Sequence, residues 1–208
     1  AIFRDDARSG EIEILYKRTG RGTALLSEAL PGQRVAIVGP LGSAFRDPAP
    51  GERVAIVAGG TGIASVYALA ARLRGSHRVE LLFGARSAGE LMAIADFEAL
   101  GVELAIATDD GSRGARGLVT TRLERALAAR VREPLRVYAC GPNAMLRRCA
   151  ELTAQHDVPC EVALENHMAC GFGVCLGCAA PLAAGGYALV CRDGPAFDAA
   201  AIDWGRLP

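Results

Sequence analysis

The sequence predicts an α/β protein. A doubly wound parallel sheet of five strands forms its centre, with a partial antiparallel β-barrel before it and a small cysteine-rich module after it. Three features carry this expectation. Apolar strands alternate with amphipathic helical segments over residues 50–165. Short period-two segments with tight turns fill residues 1–49, and four cysteines crowd the glycine-rich residues 166–208.

In residues 1–49, the segment Glu11 to Lys17 sets Ile12, Ile14 and Tyr16 against Glu13 and Lys17. Arg34 to Val38 reads as a second apolar strand, stopped by the turn residues Gly39-Pro40-Leu41-Gly42. Two or three strands with an open edge do not make an independent sheet. The expectation is therefore the back half of a barrel whose amino-terminal half lies outside these residues.

Residues 50–165 hold the repeating unit. Arg53 to Ala58 is continuously apolar, as a strand covered on both faces must be. Gly59-Gly60-Thr61-Gly62 follows, then a helix with Ile63, Val66, Ala70 and Leu73 on one face. Further strands are expected at Arg78 to Phe83, Val102 to Thr108, Leu135 to Ala139 and Cys160 to Leu164. Helices are expected at Leu91 to Leu100, Leu118 to Ala128 and Ala144 to His156. Residues 166–208 have little periodicity and are too few for a core of their own, a situation in which small modules depend on a metal.

Composition narrows the function. Apolar residues make up 51% of the 208 and charged residues 22%, which supports a packed core and argues against disorder. The 23 basic and 23 acidic residues cancel, removing a global electrostatic case for nucleic acid or anionic lipid. Lys17 is the only lysine, so the arginines reflect compositional bias and not a functional patch. No apolar run approaches the roughly 18 residues of a membrane span. Ala1-Ile2-Phe3-Arg4-Asp5 lacks a secretory pattern, and its first residue suggests a fragment or a processed product. Seven cysteines, an odd count, point to a reducing cytoplasmic compartment in which thiols serve as ligands.

The sharpest chemical signal is Cys170-x4-Cys175-x2-Cys178, with Cys191 downstream. Thiolates this close in sequence converge only if the backbone wraps tightly, and Gly171, Gly173 and Gly177 permit that. The spacing is that of a plant-type [2Fe–2S] opening, although the gap to the fourth cysteine is shorter. Structural zinc is the alternative; it usually pairs two C-x2-C knuckles, and only one is present. Cys149 and Cys160 fall in helical and strand patterns and read as buried small hydrophobes.

Two glycine turns sit at the carboxyl ends of expected strands, where open α/β sheets bind ligands. Gly59-Gly60-Thr61-Gly62 offers backbone N–H groups to a pyrophosphate, and Cys140-Gly141-Pro142 places a thiol where a nicotinamide would lie. A tight βα turn and a buried thiol are the plainer alternatives. Gly20-Arg21-Gly22-Thr23, after Leu15-Tyr16-Lys17, suits dinucleotide phosphates with Tyr16 against a flat ring; it equally suits a loop before a helix capped by Thr23. Asp109 and Asp110 form either a functional loop or, as the plainer reading, a solvated Asp-Gly turn. Arg86 either meets a 2′-phosphate or is an ordinary exposed arginine, so NAD and NADP stay undistinguished.

These motifs, in this order, resemble the dihydroorotate dehydrogenase B electron transfer subunits, a family of the ferredoxin–NADP reductase-like superfamily with an added [2Fe–2S] module. The likeness spans essentially the whole chain. It runs through Gly39-Pro40-Leu41-Gly42 with Phe45, Thr108-Asp109-Asp110-Gly111-Ser112, Cys140-Gly141-Pro142 with Met145, Glu165 with Met168-Ala169-Cys170-Gly171, and Cys191-Arg192-Asp193-Gly194-Pro195 with Phe197. The resemblance implies that Cys170, Cys175, Cys178 and Cys191 bind the cluster. It implies FAD against Leu15, Tyr16, Lys17, Gly22 and Thr23, and NAD against Gly59, Gly60, Thr61, Gly62, Cys140, Gly141 and Pro142. Residues 1–49, 50–165 and 166–208 become the end of an FAD barrel, the NAD domain and the cluster module.

It further implies electron transfer from an FMN-containing catalytic subunit that oxidises dihydroorotate, through the cluster and FAD, to NAD+, in a cytoplasmic heterotetramer of pyrimidine biosynthesis. Two departures stand out. Ala1 occupies the last position of the family's Arg-Pro-x-Ser/Thr flavin motif, and Ala64 and Ser65 follow the glycine turn where proline is usual. Competing expectations are another flavin and iron–sulfur reductase subunit, of ferredoxin–NADP reductase or sulfide dehydrogenase type, and a zinc-stapled interaction module.

Overall fold

The structure, a computed structural model, describes residues 1–6, 8–129 and 133–207. In chain order the elements are β1 (Ile2–Asp6), β2 (Glu11–Ile14), α1 (Arg21–Ser27), β3 (Arg53–Gly59), α2 (Gly62–Ser65), α3 (Tyr67–Leu73), β4 (Val79–Ala85) and α4 (Ile94–Leu100). Then come β5 (Glu103–Thr108), β6 (Ala115–Arg116), α5 (Val119–Ala128), β7 (Leu135–Cys140), α6 (Asn143–Gln155) and β8 (Cys160–Ala163). The last elements are β9 (Ala179–Pro181), β10 (Tyr187–Leu189), α7 (Val190–Asp193) and β11 (Ala196–Asp198).

The main sheet runs β11-β8-β7-β3-β4-β5-β6, with β8 to β6 parallel and β11 antiparallel to β8. Its two faces follow from the period-two geometry of buried strands. Ala55, Val57, Leu82, Val137 and Ala139 face α5 and α6, where Leu123, Leu127, Leu146 and Leu152 cover them. Val54, Ile56, Leu81, Phe83 and Tyr138 face the other way, under Ile63, Val66, Leu69, Leu73 and Phe97.

The five expected parallel strands are all present, but the sheet has seven. The two-residue β6 and the three-residue β11 are too short to leave a periodic signal. The helix after the glycine turn is two pieces, α2 and α3, meeting at Val66, and its four apolar residues are nonetheless buried. α4 begins at Ile94 and not at Leu91, because Ala93 takes a left-handed conformation, φ 55°.

Residues 1–49 depart further. β1 and β2 form a separate two-stranded antiparallel sheet, and no barrel closes among the described residues. Arg34 to Val38 is not a strand; it pairs with nothing described, and Val35, Ile37 and Val38 are exposed. An extended segment gains ladder hydrogen bonds only from a neighbouring edge. The cysteine-rich segment, conversely, is not detached. Cys178, Ala180, Leu189, Val190, Cys191 and Ile202 join the buried cluster on the α5–α6 face.

Residues 45–46 tie the amino-terminal part to the sheet. The Tyr138 hydroxyl donates to the Arg46 carbonyl at 2.7 Å, and Phe45 meets the Tyr138 ring edge-on at 5.3 Å. Burial pushes the Tyr138 phenol up to about 12, which keeps it a donor. Glu161, only 3% exposed, accepts from the Arg46 backbone N–H at 3.0 Å and from its Nε at 2.8 Å. Glu161→Gln is therefore expected to lower stability by about 1–3 kcal/mol, as lost charge-assisted hydrogen bonds do. Urea unfolding checks this.

Candidate functional site

Chain order reverses at β3: β4 and β5 follow on one side, β7 and β8 on the other. Such switch points open a crevice at the carboxyl ends of the strands. Here three glycines press the ends of β3 and β7 together. A Cβ on Gly62 would lie 2.3 Å from the Cys140 carbonyl oxygen, and one on Gly141 would lie 3.0 Å from Gly59 Cα. Gly141 also has φ +155°, and a Cβ on Gly59 would meet Met145 Sδ at 2.7 Å.

Two clefts open above this junction. The larger, about 1640 Å³, is lined by Leu15, Tyr16, Lys17 and Thr23 on one side and by Gly59, Gly60, Thr61, Cys140, Gly141 and Pro142 on the other. Ten of the twelve sequence-expected nucleotide residues thus face one space. Gly22 and Gly62 do not: Gly22 lies on exposed α1, and Gly62 serves strand packing. Ser43 and Asn166 also line this space, as do Phe45, Glu165 and Met168, and no local sequence signal gives any of them a cleft role. They come from loops brought in by long-range contacts. The smaller cleft, about 500 Å³, lies beyond Gly59 and Gly60, between Ala85, Arg86 and Asp109 and the starts of α5 and α6.

Local geometry corrects two details. Thr23 is not the N-cap of α1; Gly20 is, and Thr23 Oγ1 accepts the N–H groups of Thr19 and Gly20 at 3.0 and 3.2 Å. Arg86 is not free: Glu90 accepts from its Nη2 at 2.6 Å and its Nε at 3.1 Å, and from Lys17 Nζ at 3.1 Å. Those bonds, Arg86 first, hold the Glu90 carboxyl down at about 2. Cys140 is fully buried in protein, and burial pushes its thiol up to about 12.

The four motif cysteines gather in two pairs. Cys178 Sγ lies 3.2 Å from Cys191 Sγ and accepts the Cys191 N–H at 3.4 Å. Cys170 Sγ accepts the Cys175 N–H at 3.4 Å, and Cys175 Sγ accepts the Gly177 N–H at 3.4 Å. Backbone donors at Cys175 and Phe172 pull the Cys170 thiol down to about 6, toward the ligand form. Cys191 is shifted the other way by its Cys178 partner and by burial. Positive φ at Gly171 and Gly173, +78° and +87°, makes the wrap. Among the described residues no three His, Cys, Asp or Glu side chains converge on one point. A single tetrahedral zinc needs four donors about one centre, whereas two irons take two thiolates each. The two-and-two arrangement fits the two-iron group.

Residues 165–203 match the family described as "Iron-sulfur cluster binding domain of dihydroorotate dehydrogenase B", and residues 56–151 match "Oxidoreductase NAD-binding domain". The chain is 37% identical over 199 residues to the dihydroorotate dehydrogenase B (NAD(+)) electron transfer subunit of Desulforamulus reducens, covering 94% of this chain and 75% of that one. The chain belongs to the dihydroorotate dehydrogenase B electron transfer subunit family. Another relative of that name, from Bacillus caldolyticus, is 40% identical over 203 residues, covering 95% of this chain and 76% of the relative. Among solved structures, an NADH-dependent reduced ferredoxin-NADP oxidoreductase of flavin-based electron bifurcation superposes with a TM-score of 0.87. It is 28% identical, over 99% of this chain and 74% of that one. A ferredoxin reductase in carbazole 1,9a-dioxygenase shares the fold at 22% identity and a TM-score of 0.62, over 76% of this chain and 51% of that one. In this family member no described helix is long and apolar enough to cross a membrane.

Two outcomes follow from this geometry. Gly62→Ala should wedge the start of α2 from the end of β7 and lower stability by about 1–3 kcal/mol, read from the urea midpoint. Because Cys140, Cys149 and Cys160 are buried and burial raises all three thiols, they should resist Ellman's reagent at about pH 8 in the native protein. All three should react after unfolding in guanidinium, as mass mapping would show.

Proposed function

We propose that this chain passes electrons from a catalytic partner subunit, which oxidises dihydroorotate to orotate, to NAD+. The observation that carries the reading is the pairing of four cysteines beside a nucleotide-sized cleft at the switch point of the sheet. Cys170 with Cys175 and Cys178 with Cys191 would hold a [2Fe–2S] cluster. Leu15, Tyr16, Lys17 and Thr23 would line FAD, and Gly59, Gly60, Thr61 and the Cys140-Gly141-Pro142 turn would take NAD. When bound, the cluster moves single electrons, the nicotinamide accepts a hydride, and the flavin converts between the two.

The chain's own residues position and tune. N–H groups donated to sulfur by Cys175, Gly177 and Cys191 stabilise thiolates without adding a charge. Cys140, neutral and buried, supplies a small apolar wall and not a base. No side chain is required to take a substrate proton, because dihydroorotate is oxidised on the partner. The balance is dihydroorotate plus NAD+ giving orotate, NADH and one proton.

Residues 1–49, 50–165 and 166–208 divide, on this reading, into the end of an FAD barrel, an NAD domain and a cluster module. The family spacing and the exposed apolar run at Val35, Ile37 and Val38 support the barrel. A cytoplasmic heterotetramer of two electron transfer and two catalytic subunits completes the reading. A second reading, a reductase that exchanges electrons with ferredoxin, is favoured by the 0.87 TM-score likeness. The higher identity to the dihydroorotate dehydrogenase B relatives places it second.

The test is anaerobic purification with the catalytic partner. Iron and acid-labile sulfide are expected in equal amounts, with dihydroorotate-driven NADH formation that Cys178→Ser or Cys191→Ser abolishes. Zinc without sulfide would sink the proposal, and ferredoxin replacing dihydroorotate as the working donor would favour the second reading.

A further inference from the structure

Glu90 stands where the two clefts meet, lining both of them. It closes a 3-10 turn, Ala88–Glu90, whose base is fixed from across the sheet edge. The Ala88 N–H donates to the Ser112 hydroxyl at 2.7 Å, and that hydroxyl donates to Asp110 at 2.6 Å. From this base the carboxylate meets the Arg86 guanidinium side-on, one oxygen to Nη2 and the other to Nε. That two-point fork is the geometry arginine otherwise offers a phosphate.

Both cations that line the smaller cleft among the described residues, Arg86 and Arg148, are engaged. Arg86, 74% exposed at its mouth, is held by Glu90, with the charge of Asp109 close by. Lys17 shares Glu90, and Arg148 is held by Glu124 at 3.1 Å and Glu151 at 3.6 Å. Arg86 and Arg148 against Glu90 and Asp109, the charged residues of that lining, leave no net positive charge. An incoming dianion would have to break a formed ion pair or lie beside two carboxylates.

We propose that Glu90 sets the choice of NAD over NADP by occupying the Arg86 guanidinium that would otherwise bind a 2′-phosphate at the smaller cleft. The inference rests on the dinucleotide reading given above, with the adenosine half in that cleft. A 2′-hydroxyl carries no charge and asks nothing of Arg86, so NAD enters without disturbing the pair. A 2′-phosphate needs the guanidinium and finds it taken. Arg86, an ambiguous residue in the sequence, thereby becomes a latent phosphate ligand, and Glu90 the specificity-determining group.

The test is fluorescence titration of the holoenzyme complex with NADH and with NADPH. The unsubstituted protein is expected to prefer NADH. Glu90→Ala should tighten NADPH binding by about 10- to 100-fold, the worth of one charge-assisted contact. Glu90→Gln, which keeps the shape and removes the charge, should move the same way by less. Adding Arg86→Ala should erase the gain. An unchanged NADPH-to-NADH ratio in both Glu90 variants overturns the inference, as does a gain that survives loss of Arg86. Binding of neither nucleotide by the unsubstituted protein would overturn the dinucleotide reading and this inference with it.

Discussion

The close approach of β3 to β7 at their carboxyl ends is the constraint on which the rest of the molecule depends. Gly62 lies against the Cys140 carbonyl and Gly141 against Gly59, with the Met145 side chain packed on both Gly59 and Gly141, so the two strand ends share one floor. Both clefts take Gly59, Gly60 and Pro142 from that floor. Their relative placement is therefore set by backbone packing and not by flexible side chains. A hydride donor and its acceptor must meet within a narrow range of distance and angle, which is what a rigid shared floor supplies.

The cysteine segment is held to the wall of the large cleft by a second set of backbone contacts. The Ser43 N–H donates to the Gly194 carbonyl at 2.6 Å, and a Cβ on Gly42 would come within 2.5 Å of the same oxygen. The Leu164 N–H donates to the Pro195 carbonyl at 3.0 Å, joining the closing turn of the cysteine segment to the end of β8. Met168, which lines the large cleft, stands two residues before Cys170. Two residues span at most about 7 Å of extended chain. The segment that carries the thiols is thus also part of the cleft wall.

Legibility in the sequence followed burial. The five parallel strands were visible because both faces are covered and the apolar runs are continuous. The cysteine spacing was visible because ligands on one loop must be close in sequence. Short pieces stabilised by distant partners were not. β11 exists only through β8, and β6 only through β5. Arg34 to Val38 has the composition of a strand, yet strand formation requires an edge that composition does not supply. The pairing of Arg86 with Glu90 has the i, i+4 spacing a reader can see, but Lys17 reaches the same carboxylate from 73 residues away. Nothing local announces that contact.

The seven cysteines show how one residue type is divided between two uses by its surroundings. Cys140, Cys149 and Cys160 lie among apolar side chains with little to stabilise a thiolate, and burial drives them toward the neutral form. Cys170 has the reverse environment, an open loop whose turned peptides aim N–H groups at sulfur, and its thiol is drawn toward ionisation. Cys191, buried beside Cys178, is held protonated by its neighbour. Two thiols 3.2 Å apart cannot both ionise cheaply in each other's presence. On the proposed reading a bound cation would reverse that balance by taking both as thiolates, so loading of this pair would release protons.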